Sequence, residues 1–477
     1  MIGGGRINDR ARQSDGSMLS RAVAERYRCP ASYLDFHLSD ELSSKVGYFR
    51  FGENAICYGQ SCSGTGKQNS QSVLYDELHD TVVKDGRVTL PFNPSSVIDN
   101  LRLERYARRT PTAYDSALKT LYYQVRPFTN QWLRRKIQRF YARKWEDQTF
   151  PRWPVDTTVE SICEKLMLLS LEAKAIDKIP FVWFWPLGAR GCVLMTHDVE
   201  TEAGRDFCGE LLDVNDSFGI KASFQIVPEE RYAVPESFLD AIRKRGCEIT
   251  IQDLNHDGRL FDNKKEFLRR VAQIHQYAKE YDAKGFRAAV LYRKPEWYDA
   301  IKLSFDMSIP NVAHLDPQRG GCCTVMPYFI GNLLELPVTT VQDYTLFHIL
   351  NERSIDLWKK QVSLILASNG MAHFIVHPDY IRLPDTRRVY ESLLAWLREE
   401  TDKKDLWTTL PGEVDLWWRE RSRMSVVREG ESWRVEGKGS DRAVLAFARK
   451  VNGKLAYELL DTRRARATHA HLRRSGE

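Results

Sequence analysis

The sequence predicts an α/β protein built on a (β/α) barrel, with a small N-terminal β-containing domain and a small C-terminal β module. Three observations carry this. Between about residues 150 and 410, strand-like and helix-like segments alternate in units whose length suits a parallel sheet. Within that region the apolar run Cys192-Val193-Leu194-Met195 leads into Thr196-His197-Asp198-Val199-Glu200, and the C-terminal ends of parallel strands are where such folds bind ligands. On either side the pattern changes to short β runs. A chain of 477 residues leaves room for about three units.

Residues 1–30 are polar and rich in Gly, Arg and Ser, too poor in large apolar side chains to offset the entropy of ordering, and read as a disordered leader. An N-terminal domain is expected over 31–125. In Lys45 to Phe51, strand alternation puts Val46, Tyr48 and Arg50 on one face and Gly47, Phe49 and Phe51 on the other. Connecting helices fill 126–180. Within them, Trp132 to Trp145 mixes Trp132, Ile137, Phe140, Tyr141 and Trp145 with Arg and Lys. Such a stretch suits either a peripheral contact with an anionic membrane or a connecting helix packed on the next domain.

The barrel is expected over 181–410. Helical spacing marks Asp206 to Phe218, Pro235 to Arg245 and Lys264 to Tyr281, the first two stopped by Gly219 and Gly246. Strand runs lie at Ala222 to Val227, Cys247 to Ile251, Phe286 to Val290, Leu333 to Val338 and His373 to Val376. The C-terminal β module spans 411–462. Its clearest signal is Asn452-Gly453, which supplies both positive φ angles of a type I′ hairpin turn. A basic tail covers 463–477.

The composition, 43% hydrophobic and 28% charged, is that of a globular chain. No run reaches the roughly 18 apolar residues of a membrane span, and Met1 to Gly16 lacks the apolar core of a secretory signal, so a cytoplasmic protein is expected. Nine cysteines without CxxC pairing read as reduced thiols. Five arginines in the basic tail (Arg463, Arg464, Arg466, Arg473 and Arg474) nearly account for the formal charge of +6, so nucleic acid is not an expected partner.

Asp198 and Glu200 are two apart and share a strand face, which suits one carboxylate as metal ligand and the other as base. Gln252-Asp253-Leu254-Asn255-His256 follows another strand, offering an imidazole and oxygen donors to a divalent ion; taken singly, His256 reads first as a hydrogen-bonded loop histidine. His377 follows Phe374-Ile375-Val376, placed either as a general acid or base or as a histidine held by a backbone hydrogen bond. Arg287 is near the start of a strand, where it could hold a carboxylate ionised or make a surface ion pair. Trp297 suits stacking on a sugar or burial in the core.

Taken in this order and spacing, residues 180–390 resemble the polysaccharide deacetylases, the metal-dependent carbohydrate esterases with the NodB-homology domain. Thr196 to Glu200 is similar to the family's first motif, Gln252 to His256 to the second, Phe286-Arg287-Ala288 to the third, Phe305-Asp306-Met307-Ser308 to the fourth, and Leu334 to Val338 with His377-Pro378 to the late motifs. The resemblance implies a deacetylase-type barrel that removes N-acetyl groups from an amino-sugar glycan or its precursor. It implies Asp198 as base, His377 as acid, Arg287 and Asp306 as catalytic partners, and Glu200, Gln252 and His256 around a divalent metal, zinc by the family's habit. His197, Asp253 and Trp297 are expected at the substrate. Gln252 stands where the family has a histidine and Glu200 where it has an aspartate. The alternative is therefore a catalytically inactive relative that binds glycan or serves in polysaccharide assembly.

Overall fold

The computed structural model describes residues 18–107 and 145–460. Most of the basic aromatic stretch 132–145, the tail 463–477 and the first 17 residues of the expected leader lie outside them. Residues 18–27 are helical, contrary to the expected disorder, because Leu19, Ala22, Val23 and Tyr27 fall on one face and are buried. The order comes from tertiary burial, which local composition does not report.

The N-terminal unit holds β1 (Phe36–Leu38), β2 (Val46–Arg50), β3 (Ile56–Gln60), β4 (Val82–Lys84) and β5 (Arg87–Leu90). β2 and β3 form an antiparallel pair, and β1, β5 and β4 a separate small sheet. Gly47, Phe49 and Phe51 are the buried face, as alternation predicts. After β6 (Lys178–Val182) comes the central sheet, made of β7 (Gly191–Val199), β8 (Ser223–Ile226), β9 (Glu248–Gln252), β10 (Gly285–Arg287), β11 (Phe305–Asp306), β12 (Tyr328–Ile330), β13 (Leu333–Glu335), β14 (Met371–Ile375) and β15 (Leu406–Thr409).

Eight of these strands run in the order β12-β13-β11-β10-β9-β8-β7-β14, and β15 pairs with the first half of β7. Only β12 is antiparallel among them. Helices Glu202–Ser217, Glu236–Lys244 and Lys264–Glu280 connect successive strands, within a turn of the spans that spacing predicts. The sheet is a curled half-barrel, not the fully laddered barrel expected. The gap between β13 and β14 is bridged by side chains and single bonds: His373 N donates to Thr339 Oγ1 (2.8 Å) and Thr340 N to His373 O (3.3 Å).

β7 is buried along its whole length, as a strand covered on both faces must be. Val193, Met195 and Val199 pack with the surrounding helices. Cys192 and Leu194 point the other way, into a second core that includes Phe305, Met307 and Leu334 together with N-terminal and C-terminal residues such as Phe36, Trp185 and Phe447. The flanking units thus fill the inside of the half-barrel.

At the C-terminal end, β16 (Ser425–Glu429) pairs with β17 (Ser432–Glu436), and β18 (Leu445–Val451) with β19 (Lys454–Leu459). Asn452 and Gly453 have φ of 51° and 77°, the expected turn. β18 also pairs with β6, so this hairpin shares a sheet with residues preceding the half-barrel. All nine cysteines are free, and eight are buried. No helix among the described residues is long and apolar enough to cross a membrane.

Candidate active site

Alternation along β7 sends Thr196 and Asp198 to the inside of the half-barrel, and Glu200 follows one step beyond the strand end. Arg287 meets them there from the end of β10. It lies at the end of its strand and not near the start, because Val290 at φ 58° takes the chain into a tight turn. The guanidinium donates to Asp198 Oδ1, to Thr196 Oγ1 (2.9 Å) and to the Met307 carbonyl (3.1 Å). It also donates to His373 Nε2 (2.8 Å), whose Nδ1 faces the Leu336 and Pro337 carbonyls at 3.2 Å. Burial, and then the Arg287 cation, hold His373 well below the ordinary histidine range, so it is neutral and accepts.

Gln252, at the end of β9, donates from Nε2 to Asp198 Oδ2 (3.1 Å) and to Glu200 Oε1 (3.4 Å), while its Oε1 is buried without a hydrogen-bond partner. In the loop beyond, His256 sits at φ 54°. Its Nε2 is 2.8 Å from Glu200 Oε1 without the alignment of a hydrogen bond. His377 follows β14. Its Nδ1 donates to Asp343 Oδ1 (2.6 Å), its backbone N to Asp343 Oδ2 (2.7 Å), and its Nε2 lies 3.5 Å from Glu200 Oε1. The Tyr380 ring stands 5.0 Å from the His377 ring.

The electrostatics follow from this crowding. Burial would raise the Glu200 carboxyl, but His256 and His377 outweigh it and hold it well below the carboxylate range. Burial would lower both imidazoles; Asp343 and Glu200 raise His377 well above its ordinary value, and Glu200 with Asp253 raises His256. Glu200 is also the member of the cluster open to solvent, its side chain 20% exposed beside 2% for His256 and 5% for His377.

Ligand atoms of Asp198, Glu200 and His377 all lie within 4.8 Å of one another. Carboxylate oxygens and imidazole nitrogens converging on one point, with Gln252 Oε1 and the His256 nitrogens lacking hydrogen-bond partners, fit a divalent cation that takes mixed N and O ligands. The Asp343 carboxylate fixes His377 Nδ1, which leaves Nε2 facing the cluster.

Three expected residues stand elsewhere, and a fourth, Asp253, lies beside the cluster. His197 faces outward between sheet and helices, where Nδ1 donates to the Val376 carbonyl (2.9 Å) and Nε2 accepts from Asn215 (3.0 Å). Asp306 pairs in register with Glu335 on neighbouring strands and accepts from Ser308 Oγ (2.7 Å), with no bond to Asp198 or Arg287. Asp253 is fully buried at φ 53° near His256, its Oδ1 accepting from Leu254 N (2.8 Å) while its Oδ2 has no hydrogen-bond partner. Trp297 packs on Phe261 and Phe267 under the Lys294 ammonium. Two residues join unannounced. His373 shares a strand face with His377, four positions away, and that period is a usable signal. Asp343 carries none, being one acid in a loop 34 residues before its partner.

No protein-family model matches the chain, and no curated protein matches it. Solved structures do. A candidate polysaccharide deacetylase from Mycobacterium smegmatis aligns at 17% identity and TM-score 0.41, over 50% of this chain and 93% of that one. PuuE allantoinase aligns at 12% and 0.39, over 49% and 92%. A pseudoenzyme of the CE4 family from Bacillus anthracis aligns at 14% and 0.31, over 47% and 65%. Each of these alignments covers about half of the chain.

Proposed function

We propose that the chain is a metal-dependent hydrolase that removes N-acetyl groups from an amino-sugar glycan or its precursor. The observation that carries this is the convergence at one strand end of a carboxylate braced by arginine, Asp198, and a histidine braced by carboxylate, His377, around the partly exposed Glu200. Glu200, His256 and Gln252 Oε1 would hold the ion, with Asp198 beside them and His377 Nε2 left to carry a proton. When bound, a divalent ion polarises the acetyl carbonyl and lowers the pKa of water.

The chain's own residues divide the remaining work. Asp198, gripped by Arg287, accepts the proton of the attacking water at a carboxylate oxygen. His377, held by Asp343, presents Nε2 to the departing nitrogen and supplies its proton as the C–N bond breaks. Acetate and a free amine result. The test is acetate release from N-acetylglucosamine oligomers by the zinc-loaded chain. The reading expects release that Asp198→Asn reduces by at least about a hundredfold, in the range of general-base loss. It fails if loaded wild type releases no acetate from any amino-sugar glycan offered.

One observation favours a second reading. Gln252 Nε2 hydrogen-bonds both Asp198 and Glu200, using acceptor oxygens that an ion would take. A chain that keeps this arrangement would bind glycan without cutting it, and would retain oligosaccharide in an equilibrium binding assay while releasing no acetate.

A further inference from the structure

The loop leaving β10 runs from Arg287 to Arg293 and is bent against local preference. Val290 and Leu291 take φ of 58° and 53°, a left-handed conformation that a β-branched residue holds only when its surroundings over-determine it. The bend packs Leu291 against Val338 and Ile375. Ile375 is in register with Thr196 and lies two residues before His377. The loop is therefore joined at one end to the arginine that grips Asp198, and at its tip to the wall beneath His377.

Arg293 holds the far end. Its side chain is fully buried and forks onto Glu104, Nε to Oε2 at 2.6 Å and Nη2 to Oε1 at 2.5 Å, while Nη1 donates to the Leu291 carbonyl at 2.8 Å. Gln318 clamps the Arg293 backbone from both sides, accepting from its N and donating to its O, each at 3.0 Å. Glu104 belongs to the N-terminal unit, just past the helix Pro94–Arg102. Its Oε1 also accepts from Gly321 N (2.5 Å), and a Cβ at Gly320, φ 131°, would meet that oxygen at 2.5 Å. The glutamate is thus inserted among the half-barrel's loops.

Exposed ion pairs contribute little, and an apolar contact would join two units as well as a buried pair does. What a bidentate pair adds is direction, because the planar fork fixes the arginine's orientation. Here that orientation is passed to the Leu291 carbonyl.

We propose that the Glu104–Arg293 pair is how the N-terminal unit positions the site: it holds the Val290–Leu291 bend, and through it the Arg287 grip on Asp198. Both are positioning residues, and the link to metal rests on the function proposed above.

The test compares full-length wild type with Glu104→Gln and Glu104→Asp, measuring zinc affinity by titration and amide exchange by peptide. In Glu104→Gln, exchange over 288–293 accelerates, exchange in β2 and β3 does not, and zinc affinity falls about tenfold, the low end for outer-shell support. Glu104→Asp, which keeps the charge with one methylene less, recovers part of both. If Glu104→Gln does not fold, Glu104→Asp, which shortens the reach to Arg293 while keeping the charge, carries the same test with the same expected direction and a smaller amplitude. A loop that stays protected overturns the inference, as does a loosened loop with unchanged zinc affinity, or loosening spread equally over β2 and β3. If wild type binds no zinc while 288–293 still loosens selectively, the positioning of the loop stands and the metal-dependent function fails.

Discussion

His197 and Asp198 are neighbours in the chain and opposites in the structure. On the outer face, His197 has both ring nitrogens bonded, and Tyr390 closes the group by donating to Asn215 Oδ1 at 2.6 Å. Burial first, and then nearby cations, push its pKa down to about 4, so it is a neutral, satisfied part of the packing. On the inner face, Asp198 leads to Glu200, Gln252, His256 and His377, where charges crowd and Gln252 Oε1 and the His256 nitrogens lack hydrogen-bond partners. Buried polar groups completed by their neighbours hold a fold together. Those left incomplete in this cluster are groups that a bound ion would complete.

Substitutions on the two faces should separate these roles. The largest effect is expected for Glu200→Ala, which removes the oxygen that both His256 and His377 approach. Zinc affinity should fall by more than about a hundredfold, beyond the range of second-shell losses, with titration calorimetry as the check. Next, His197→Ala leaves Asn215 Nδ2 and the Val376 carbonyl without their His197 partner in the interior and should cost about 2 kcal/mol of stability in urea unfolding, with zinc affinity unchanged. A loss of zinc there would erase the distinction between the faces.

A gain comes third. Gln252→His replaces an amide that hydrogen-bonds the two carboxylates with an imidazole, and should raise zinc affinity about tenfold, since imidazole is the better zinc ligand. The gentlest lever is pH. His256 and His377 titrate above their ordinary 6.5 in the fold, so their contribution to metal-free stability is complete below 6.5 and is lost as pH rises through the folded values. Glu200 titrates below its ordinary 4.5, so its contribution is present above 4.5 and lost as pH falls through the lower folded value. The cluster thus stabilises the metal-free chain most between 4.5 and 6.5. His197, depressed to about 4, works the other way and loses its contribution as pH falls from 6.5. Metal-free His197→Ala should therefore show the peak more sharply than wild type in thermal melts. Zinc should bind more tightly at about pH 8 than at about pH 6, because binding displaces imidazole protons.

The same contrast explains what the sequence disclosed. Strand ends were legible: β7, β9 and β14 are apolar runs, and Asp198, Glu200, Gln252, His256 and His377 lie at or just beyond their ends, so proximity in space followed from proximity to a strand end. Which face a residue takes was less so. The Thr196 to Glu200 motif presents His197 and Asp198 side by side, and the family resemblance draws His197 to the substrate although alternation turns it outward. Asp306 and Asp343 make the same point across distance. Asp306 sits at a strand end and looks like a site residue, yet its register partner is Glu335. Asp343 lies in a loop and reaches His377 only once the gap between β13 and β14 is spanned. The helix over 18–27 was hidden because its burial depends on surfaces far along the chain, Tyr27 meeting Phe181 and Tyr457.

The most direct test is the metal content of the purified full-length chain after exposure to zinc and removal of excess, in wild type, Glu200→Ala and His197→Ala. One ion per chain in wild type and His197→Ala, and none in Glu200→Ala, is the result expected if the inner face of β7 is a metal site. No ion in any of the three, or one that persists in Glu200→Ala, would contradict it.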